Sequence, residues 1–210
     1  WVKYWVHNGF VTVNQQKMSK SLGNFFTLKD IFKKYDPMVV RFFLLSTHYR
    51  SPINYSDQEL NNAKEAYGRI CKFVGGINFM LERSTEAAPN IELEDLEEEI
   101  LEYKNRFAAA MDDDFNTAGA VAAIFEMIHF FNKAMDEGEV ERECLEEMKK
   151  SVLDLCGILG LEIKPVIYIM PEPATSVVSS QIGAVIVKEE KDTIEELVME
   201  RERARKTKDF

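Results

Sequence analysis

Residues 60–77 read LNNAKEAYGRICKFVGGI, and their apolar members recur at alternating steps of three and four. That spacing places side chains along one face of an α-helix, so it predicts a helix that packs on one side. The same spacing recurs over residues 93–110 and 145–159. Residues 121–134 are apolar on most sides, which predicts the most buried helix of the set. Together the four segments predict an antiparallel helical bundle over residues 58–163.

The overall composition is that of a folded protein. Of the 210 residues, 46% are hydrophobic and 11% are aromatic, which excludes a disordered chain and a collagen-like repeat. The chain has no run of about 18 apolar residues, so the sequence predicts no bilayer-spanning segment. The three cysteines lie far apart and form no CxxC pair, a usage typical of a reducing compartment that offers no metal site. We therefore expect a cytoplasmic protein that does not bind membranes.

Charge is distributed unevenly along the chain. Residues 1–57 contain 8 Lys and Arg against 3 Asp and Glu, a net charge of +5. The remaining residues contain 18 against 33, a net charge of −15. A basic segment suits a phosphate-bearing partner, whereas the acidic remainder argues against a protein that coats nucleic acid. The two parts are predicted to have different roles.

Residues 1–57 are predicted to form short elements rather than long helices. Residues 1–13 are aromatic and β-branched, which predicts a strand or a strand pair broken by a turn at residues 7–9. Asp36 followed by proline marks the start of a strongly apolar helix at residues 38–46, which should be buried. This segment therefore predicts mixed α and β structure before the bundle.

Local signals also mark where the later elements begin and end. Three helix starts carry capping residues, namely Thr27 with Asp30, Ser56 with Glu59, and Asn116 or Thr117. Glycines at residues 157–160 predict the end of the bundle. Residues 164–190 hold three of the six prolines and predict a linker. Residues 191–210 predict one further, charged helix.

Residues 17–21 read KMSKS and form the clearest functional pattern. Lys17 and Lys20 bracket Ser19 on a polar loop that precedes a capped helix. Mobile ammonium groups stabilise the negative charge that develops in phosphoryl or nucleotidyl transfer, and hydroxyl and backbone N–H groups add further donors. An isolated K-x-x-K pair is, however, usually a solvated loop. The residues by themselves leave both interpretations open.

The letters KMSKS also match the signature loop of class I aminoacyl-tRNA synthetases, and the surrounding sequence resembles the cysteinyl-tRNA synthetase family. The stretches that carry the resemblance are HNGFVTV (7–13), KMSKSLGNFFT (17–27), STHYRSP (46–52), NYS (54–56), MDDDFNT (111–117) and the R..AR..KDF pattern of residues 201–210. The resemblance as a whole covers most of the chain and weakens only in the predicted linker and the acidic helices.

The resemblance implies a mainly α chain. Residues 1–57 would be the tail of a Rossmann-type α/β catalytic domain with its stem-contact fold. Residues 58–163 would be a bundle that binds the anticodon stem, with the linker and a truncated helix of the same domain after it. The family's His-Ile-Gly-His motif and zinc ligands would lie before Trp1, so we expect a fragment that is inactive alone. We also expect a monomer. Zinc is expected only in the parent protein, and ATP with Mg²⁺ is the implied nucleotide.

The resemblance implies the activation of cysteine to cysteinyl-adenylate and its transfer to tRNA(Cys). Lys20 would bind ATP and stabilise the transition state in which cysteine attacks the α-phosphate, with Lys17 assisting as a second catalytic residue. The other candidate nucleotide-binding residues are Met18, Ser19, Ser21 and His7. For His7, a packed or surface histidine is an equally good interpretation.

Residues 36–45 resemble the stem-contact fold, which couples the catalytic domain to the inner side of the tRNA. The candidate phosphate contacts are Lys29, Arg41 and Arg50, since cationic side chains, and the planar fork of arginine above all, bind phosphate oxygens. Arg41 lies in an apolar helix and could instead pair with a buried carboxylate such as Asp36. The aspartates at 112–114 could bind a metal or act as acids and bases. A structural turn at a helix start is the favoured interpretation.

Three alternatives remain at this level. The loop is shared with the synthetases for methionine, leucine, isoleucine and valine. The cysteine ligase of mycothiol synthesis resembles the same catalytic domain but joins cysteine to an amino sugar. A non-catalytic RNA-binding module or helical scaffold would also account for the bundle.

Overall fold

The computed structural model describes residues 1–24, 26–82 and 91–166, and of Lys20 it describes the backbone alone. Its elements are β1 (Val11–Val13), β2 (Gln16–Lys17), a 3-10 turn (Lys20–Leu22), α1 (Leu28–Ile31), α2 (Pro37–Leu45), β3 (Ile53–Tyr55), α3 (Asp57–Leu81), α4 (Leu93–Asp112), α5 (Thr117–Glu137) and α6 (Arg142–Ile158). The chain is mainly helical with one small sheet, which confirms the predicted fold class. The predicted helix at 191–210 and most of the predicted linker lie outside the described residues.

Helices α3 to α6 form the bundle through the apolar seams that the spacing predicts. The large apolar side chains with no exposed surface are those of Leu60, Ile70, Val74, Ile77, Leu96, Ile124, Met127, Phe131, Met148 and Val152. Each complete burial of a large aliphatic or aromatic side chain contributes roughly 1.5–3 kcal/mol. Burial along these seams therefore stabilises the bundle more than intrinsic helix propensity does.

Residues 121–134 on α5 bury seven of their 14 residues, which equals the fraction over residues 60–77 on α3 (nine of 18) and exceeds the fractions over residues 93–110 and 145–159. The segment predicted to be most buried therefore shares that place with α3. A groove of about 800 Å³ between α3 and α5 leaves Ala122 exposed and Phe125 half-buried. An apolar helix surface is thus only partly covered by its neighbours.

Helix α2 joins the bundle although it precedes it in the chain. Its side chains Val39, Val40, Phe42 and Phe43 are buried, which confirms the burial predicted for residues 38–46. Asp36 caps the helix by accepting a hydrogen bond from the backbone N–H of Met38 at 2.7 Å, and proline follows at the first helical position. Arg41 and Leu44 of the same helix are exposed.

The remaining caps are local and follow the sequence pattern. Thr27 and Asp30 form the reciprocal capping box at the start of α1. Ser56 accepts a hydrogen bond from the backbone N–H of Glu59 at the start of α3. At α5 the cap is Asn116, which accepts from the backbone N–H of Gly119 at 2.9 Å.

The sheet differs from the strand pair predicted over residues 1–13. Only Val11–Val13 forms a strand there, and the predicted turn at residues 7–9 is wrong. The chain reverses instead at Asn14 and Gln15, which adopt left-handed φ angles of 49° and 66°. Gly9 passes so close to the following loop that a Cβ would lie 2.2 Å from the carbonyl oxygen of Ser51. Close approach to another segment therefore accounts for the glycine.

Strand β1 is the centre of the three-stranded sheet, whose order is β2-β1-β3. It pairs antiparallel with β2, so that Thr12 lies opposite Lys17. It pairs parallel with β3, so that Val13 lies opposite Tyr55. Since β2, α1 and α2 lie between the parallel strands in the chain, they form the crossover connection. This arrangement places the end of β2, and with it the KMSKS sequence, at one side of the sheet.

Candidate functional site

The KMSKS loop leaves the sheet at Lys17 and is closed by Asn24. The Asn24 side-chain oxygen accepts from the backbone N–H of Ser19 at 2.8 Å, and its nitrogen donates to the carbonyl of Lys17 at 3.1 Å. One amide side chain therefore ties the first residues of the loop to its last. Gly23 has a left-handed φ of 69°, which glycine adopts without strain and which turns the chain back toward Asn24.

The hydroxyl groups of the loop lie together on its surface. The Oγ atoms of Ser19 and Ser21 are 2.6 Å apart, and Ser19 Oγ accepts from the backbone N–H of Ser21 at 3.2 Å. Lys17 and Ser21 are exposed, while Met18 and Ser19 are half-buried. This arrangement offers an exposed ammonium group and hydroxyl groups to an anionic ligand.

Asn54 on β3 holds the turn that leads into the loop. Its side-chain oxygen accepts from the backbone N–H of Gln15 at 2.8 Å and from the hydroxyl of Thr12 at 3.2 Å. The backbone N–H of Asn14 donates to the carbonyl of Tyr55 at 3.2 Å. These bonds stabilise the two left-handed residues and fix where β2 starts. Sequence reasoning assigned no role to Asn24 or Asn54, although both lie within quoted motifs.

His7 lies on the surface away from these contacts. Its side chain is exposed, and its ring stacks on Trp5 with 6.4 Å between the centroids. No hydrogen bond or ion pair joins His7 to the described residues of the loop. A role for His7 in nucleotide binding stays a prediction.

The three candidate tRNA contacts have different surroundings. Lys29 is exposed on α1. Arg41 donates from Nε to the carbonyl of Leu159 at the C-terminal end of α6, at 2.8 Å. Arg41 also lies against Gly160, where an added Cβ would be 2.4 Å from Nη2. The arginine therefore caps a helix of the bundle.

The alternative partner considered for Arg41 is engaged elsewhere. The carboxylate of Asp36 caps α2 and lies 3.6 Å from Nζ of Lys164. The Arg41–Asp36 pair considered from the sequence is therefore not formed. Whether Arg41 also contacts phosphate stays a prediction.

Arg50, the third candidate, contacts the turn between α4 and α5. Its Nε lies 3.0 Å from Oδ2 of Asp114, and its Nη2 lies 3.2 Å from Oδ1. The hydrogen bond to Tyr49 and the charge of Asp114 raise the pKa of the Arg50 guanidinium, so it remains charged. Two motifs quoted separately from the sequence, at residues 46–52 and 111–117, thus contact each other.

Asp112 ends α4, and Asp113 and Asp114 lie in the turn before α5, in line with the structural interpretation favoured from the sequence. Asp114 makes the long-range contacts of this turn. Among residues 1–24, 26–82 and 91–166, no three or more His, Cys, Asp or Glu side chains are placed to hold a metal ion. The three cysteines are buried. Burial raises the pKa of the Cys156 thiol to about 12 and also raises the pKa of Cys144, which disfavours thiolate chemistry at both. In the same ranges no helix is long and apolar enough to cross a bilayer.

Comparison with known proteins places both parts of the chain. Residues 1–65 match the family of tRNA synthetases class I (C) catalytic domains, and residues 106–164 match the DALR domain. The cysteine–tRNA ligase of Geobacter sulfurreducens is 41% identical over 210 residues, which covers 99% of this chain and 42% of the relative. That of Clostridioides difficile is 38% identical over 216 residues, covering 99% and 40%.

The chain spans about two fifths of the length of the curated relatives it matches. Its sheet and α2 lie within the catalytic-domain match, and α5 and α6 lie within the DALR match. The similarity to both relatives covers 99% of the chain and therefore includes both parts. The chain therefore belongs to the cysteine–tRNA ligase family of class I aminoacyl-tRNA synthetases.

Proposed function

We propose that this chain supplies the ATP-contacting loop and part of the tRNA-binding surface of a cysteine–tRNA ligase. Such an enzyme activates cysteine with ATP to cysteinyl-adenylate and transfers cysteine to tRNA(Cys) in translation. The observation that carries the proposal is the KMSKS loop, whose ends are tied by Asn24 while Lys17 and Ser21 face solvent. A loop with a defined base and exposed donors suits a polyphosphate ligand.

The chemistry of the first step accounts for two lysines. The carboxylate of cysteine attacks the α-phosphorus of ATP, the bond to the β-phosphate oxygen breaks, and pyrophosphate leaves with the negative charge. Lys20 and Lys17 would stabilise that charge as it develops, and Met18 would anchor the loop. The hydroxyls of Ser19 and Ser21 add hydrogen-bond donors. Mg²⁺ would arrive bound to the ATP phosphates.

A zinc ion is implied by the family but has no ligand set among the described residues. We therefore derive no step through zinc. For tRNA, the exposed Lys29 together with Arg50 and Arg41 would bind phosphate oxygens, in line with the net charge of +5 over residues 1–57. The proposal includes a monomer in the cytoplasm, where buried free thiols such as those of this chain persist.

The test measures cysteine-dependent ATP–pyrophosphate exchange by a chimera. In it, this chain replaces the matching 210 residues of the Geobacter sulfurreducens relative. We expect exchange with cysteine and charging of tRNA(Cys). Lys20→Ala should lower the exchange rate about a hundredfold, because a donor to developing charge is lost. Lys34→Ala, a matched change outside the loop, should leave the rate within about twofold of the unsubstituted chimera.

Four outcomes would contradict the proposal. A folded chimera that lacks exchange would refute the cysteine–tRNA ligase assignment of this chain. Exchange that requires methionine or valine would indicate another synthetase, and exchange without tRNA charging would favour a ligase for an amino sugar. Equal losses in the Lys20 and Lys34 variants would remove the role of the loop. The 210-residue chain alone should not exchange, because no His-Ile-Gly-His sequence occurs in it.

A further inference from the structure

Two segments that are far apart in the sequence meet at Asp114. Residues 48–50 lie between α2 and β3, and Asp114 lies in the turn between α4 and α5. We propose that Asp114 is a positioning residue that locks the loop-bearing sheet onto the helical bundle and so orients the KMSKS loop. This inference rests on the proposed function for its effect on catalysis, whereas its structural part can be tested alone.

Three consecutive side chains bind this one residue. Tyr49 donates from its hydroxyl to Oδ1 of Asp114 at 2.7 Å, and Arg50 approaches both carboxylate oxygens at 3.0 and 3.2 Å. His48 places Nε2 3.1 Å from the backbone carbonyl oxygen of Asp114. An arginine that addresses both oxygens of a carboxylate fixes the geometry of the pair as well as its energy. The contact therefore defines an orientation rather than a general attraction.

The partners are themselves held in place before they reach Asp114. Arg50 Nε also donates to the Tyr49 hydroxyl at 2.8 Å, so the phenol receives one hydrogen bond and donates another. The rings of His48 and Tyr49 stack with their centroids 4.9 Å apart. Each side chain thus restricts its neighbour, which lowers the entropy lost on binding the carboxylate.

The turn that carries Asp114 has a strained backbone, and the backbone conformation sets the direction of the carboxylate. Asp114 and Phe115 both have φ angles of 54°, in the left-handed region that disfavours residues other than glycine. Such conformations persist where the surroundings hold them. Here the backbone N–H of Phe115 donates to Met111 and that of Asn116 donates to Ala110, at 3.1 and 3.0 Å. A strained backbone at this position is consistent with a positioning role for the Asp114 side chain.

A continuous set of backbone hydrogen bonds leads from this contact to the loop. The carbonyl of Tyr49 accepts from Gly9 at 2.7 Å, and the carbonyl of Phe10 accepts from Ile53 at 3.0 Å. From there β1 pairs with both β3 and β2, and β2 ends at Lys17. A shift of residues 48–50 would therefore displace the strands from which the loop starts.

Burial of apolar side chains contributes little to the orientation of the sheet. Among the described residues outside α2, the segment before α3 has one buried apolar side chain, Val13, which is 5% exposed. The Arg41 contact fastens α2 to the end of α6 and does not involve the strands. Ile53 and Tyr55 of β3 also pack half-buried against the core of the bundle. Such apolar contacts are non-directional, so the polar cluster at Asp114 is the contact that gives the sheet a defined orientation.

Hydrogen exchange on the 210-residue chain tests the structural part. Asp114→Asn keeps the shape of the side chain but removes its charge. The guanidinium of Arg50 then faces an amide, which presents either its NH₂ group or its single oxygen. We expect the backbone amides of Gly9 and Ile53 to exchange about tenfold faster or more, because their segment is released. Amides within α5 and α6 should keep their rates within about twofold.

Asp113→Asn is the matched control. It makes the same charge change one residue earlier, and the Asp113 carboxylate forms no hydrogen bond or ion pair with the described residues. It should leave Gly9 and Ile53 unchanged. If Asp114→Asn also leaves both amides within about twofold of the original chain, the locking contact is refuted. If the two variants accelerate them equally, net charge rather than the contact is responsible, which also refutes it.

The chimera tests the catalytic part. Asp114→Asn should lower kcat of cysteine-dependent exchange about tenfold and leave KM for cysteine unchanged, while Asp113→Asn lowers neither. Asp114→Glu should restore part of kcat, since a carboxylate remains. A faster-exchanging sheet with unchanged kcat would overturn the positioning role. If the unsubstituted chimera is inactive, the proposed function fails, and the hydrogen-exchange result still decides the locking contact.

Discussion

The two regions of this molecule are held together by different kinds of interaction. The bundle from Asp57 to Ile158 buries most of the apolar core. Among the described residues before it and outside α2, Val13 is the one buried apolar side chain, while Ile53 and Tyr55 pack half-buried against the core. The sheet and loop depend in addition on hydrogen bonds of Asn24, Asn54 and Asp114. Burial is non-directional and tolerates small shifts, whereas these hydrogen bonds require defined geometry. The bundle therefore supplies stability, and the polar contacts orient the loop.

The largest expected effect tests the bundle side of this comparison. Leu96→Ala on α4 removes a side chain with no exposed surface and should lower the free energy of unfolding by about 2–5 kcal/mol. Leu101→Ala on the same helix removes a side chain that is 58% exposed and should cost less than about 0.5 kcal/mol. Urea unfolding followed by helical circular dichroism measures both. Equal costs would show that the seam does not support the bundle.

Arg41 gives the next largest effect and crosses the boundary between the regions. Arg41→Met removes the hydrogen bond to the Leu159 carbonyl and should lower the free energy of unfolding by about 1–1.5 kcal/mol. Lys29→Met, at an exposed position on α1, should change it by less than about 0.5 kcal/mol. Unfolding curves of the two variants measure this difference in the free energy of unfolding.

The same Arg41 variant distinguishes the two roles of the arginine. Binding of tRNA(Cys) is measured over a range of salt concentrations. The proposed phosphate contact predicts a salt slope that falls by about one in the Arg41 variant, in addition to its loss of stability. An unchanged slope would leave Arg41 with the bundle contact alone.

Removal of a helix cap should lower the free energy of unfolding by a smaller amount, and it tests whether side-chain hydrogen bonds also stabilise the bundle. Asn116→Ala removes the cap of α5 and should cost about 1 kcal/mol of unfolding free energy. Glu141 occupies the same position at α6 without a side-chain capping bond, so Glu141→Ala should cost less than about 0.3 kcal/mol. Thermal and urea unfolding check both variants. A cost at Glu141 equal to that at Asn116 would contradict the assignment of the cap.

The smallest effect concerns the capping box that follows the loop. A hydrogen bond from Thr27 and then the ammonium group of Lys33 lower the pKa of Asp30 from 3.8 to about 2. Because the folded-state pKa is lowered, its contribution to stability is present above pH 3.8 and is lost as the pH falls toward 2. Carboxyl titration by NMR should give a midpoint near 2, and Thr27→Ala should raise it. A midpoint that stays near 3.8 in the original chain would contradict the box.

Several features could be predicted because they depend on residues close together in the chain. The spacing of Leu60, Tyr67 and Ile77 suffices for a one-sided helix. The caps at Thr27 and Asn116 each join atoms three residues apart. The resemblance carried by the KMSKS loop and by residues 111–117 led to the family that the comparisons show. In each case local geometry or a continuous motif contains the information.

What the sequence predicted wrongly or left open concerns neighbours supplied by other segments. Residues 1–10 have the composition of a strand, but Gly9 pairs with the loop at Tyr49 instead of turning back. Helix α5 has an apolar surface on most sides, but the space between it and α3 is left as a groove. Composition describes what a segment can bury and does not say which segment will cover it.

Sequence pattern alone therefore specified the helices, most of their starts, the KMSKS loop and the family. Folding alone brought Tyr49 to Asp114 across 65 positions and Arg41 to Leu159 across 118. The physical reason is that helices and caps form from contacts within one or two turns, whose closure costs little entropy. Polar pairs between distant segments form only after burial of the apolar seams has brought those segments together.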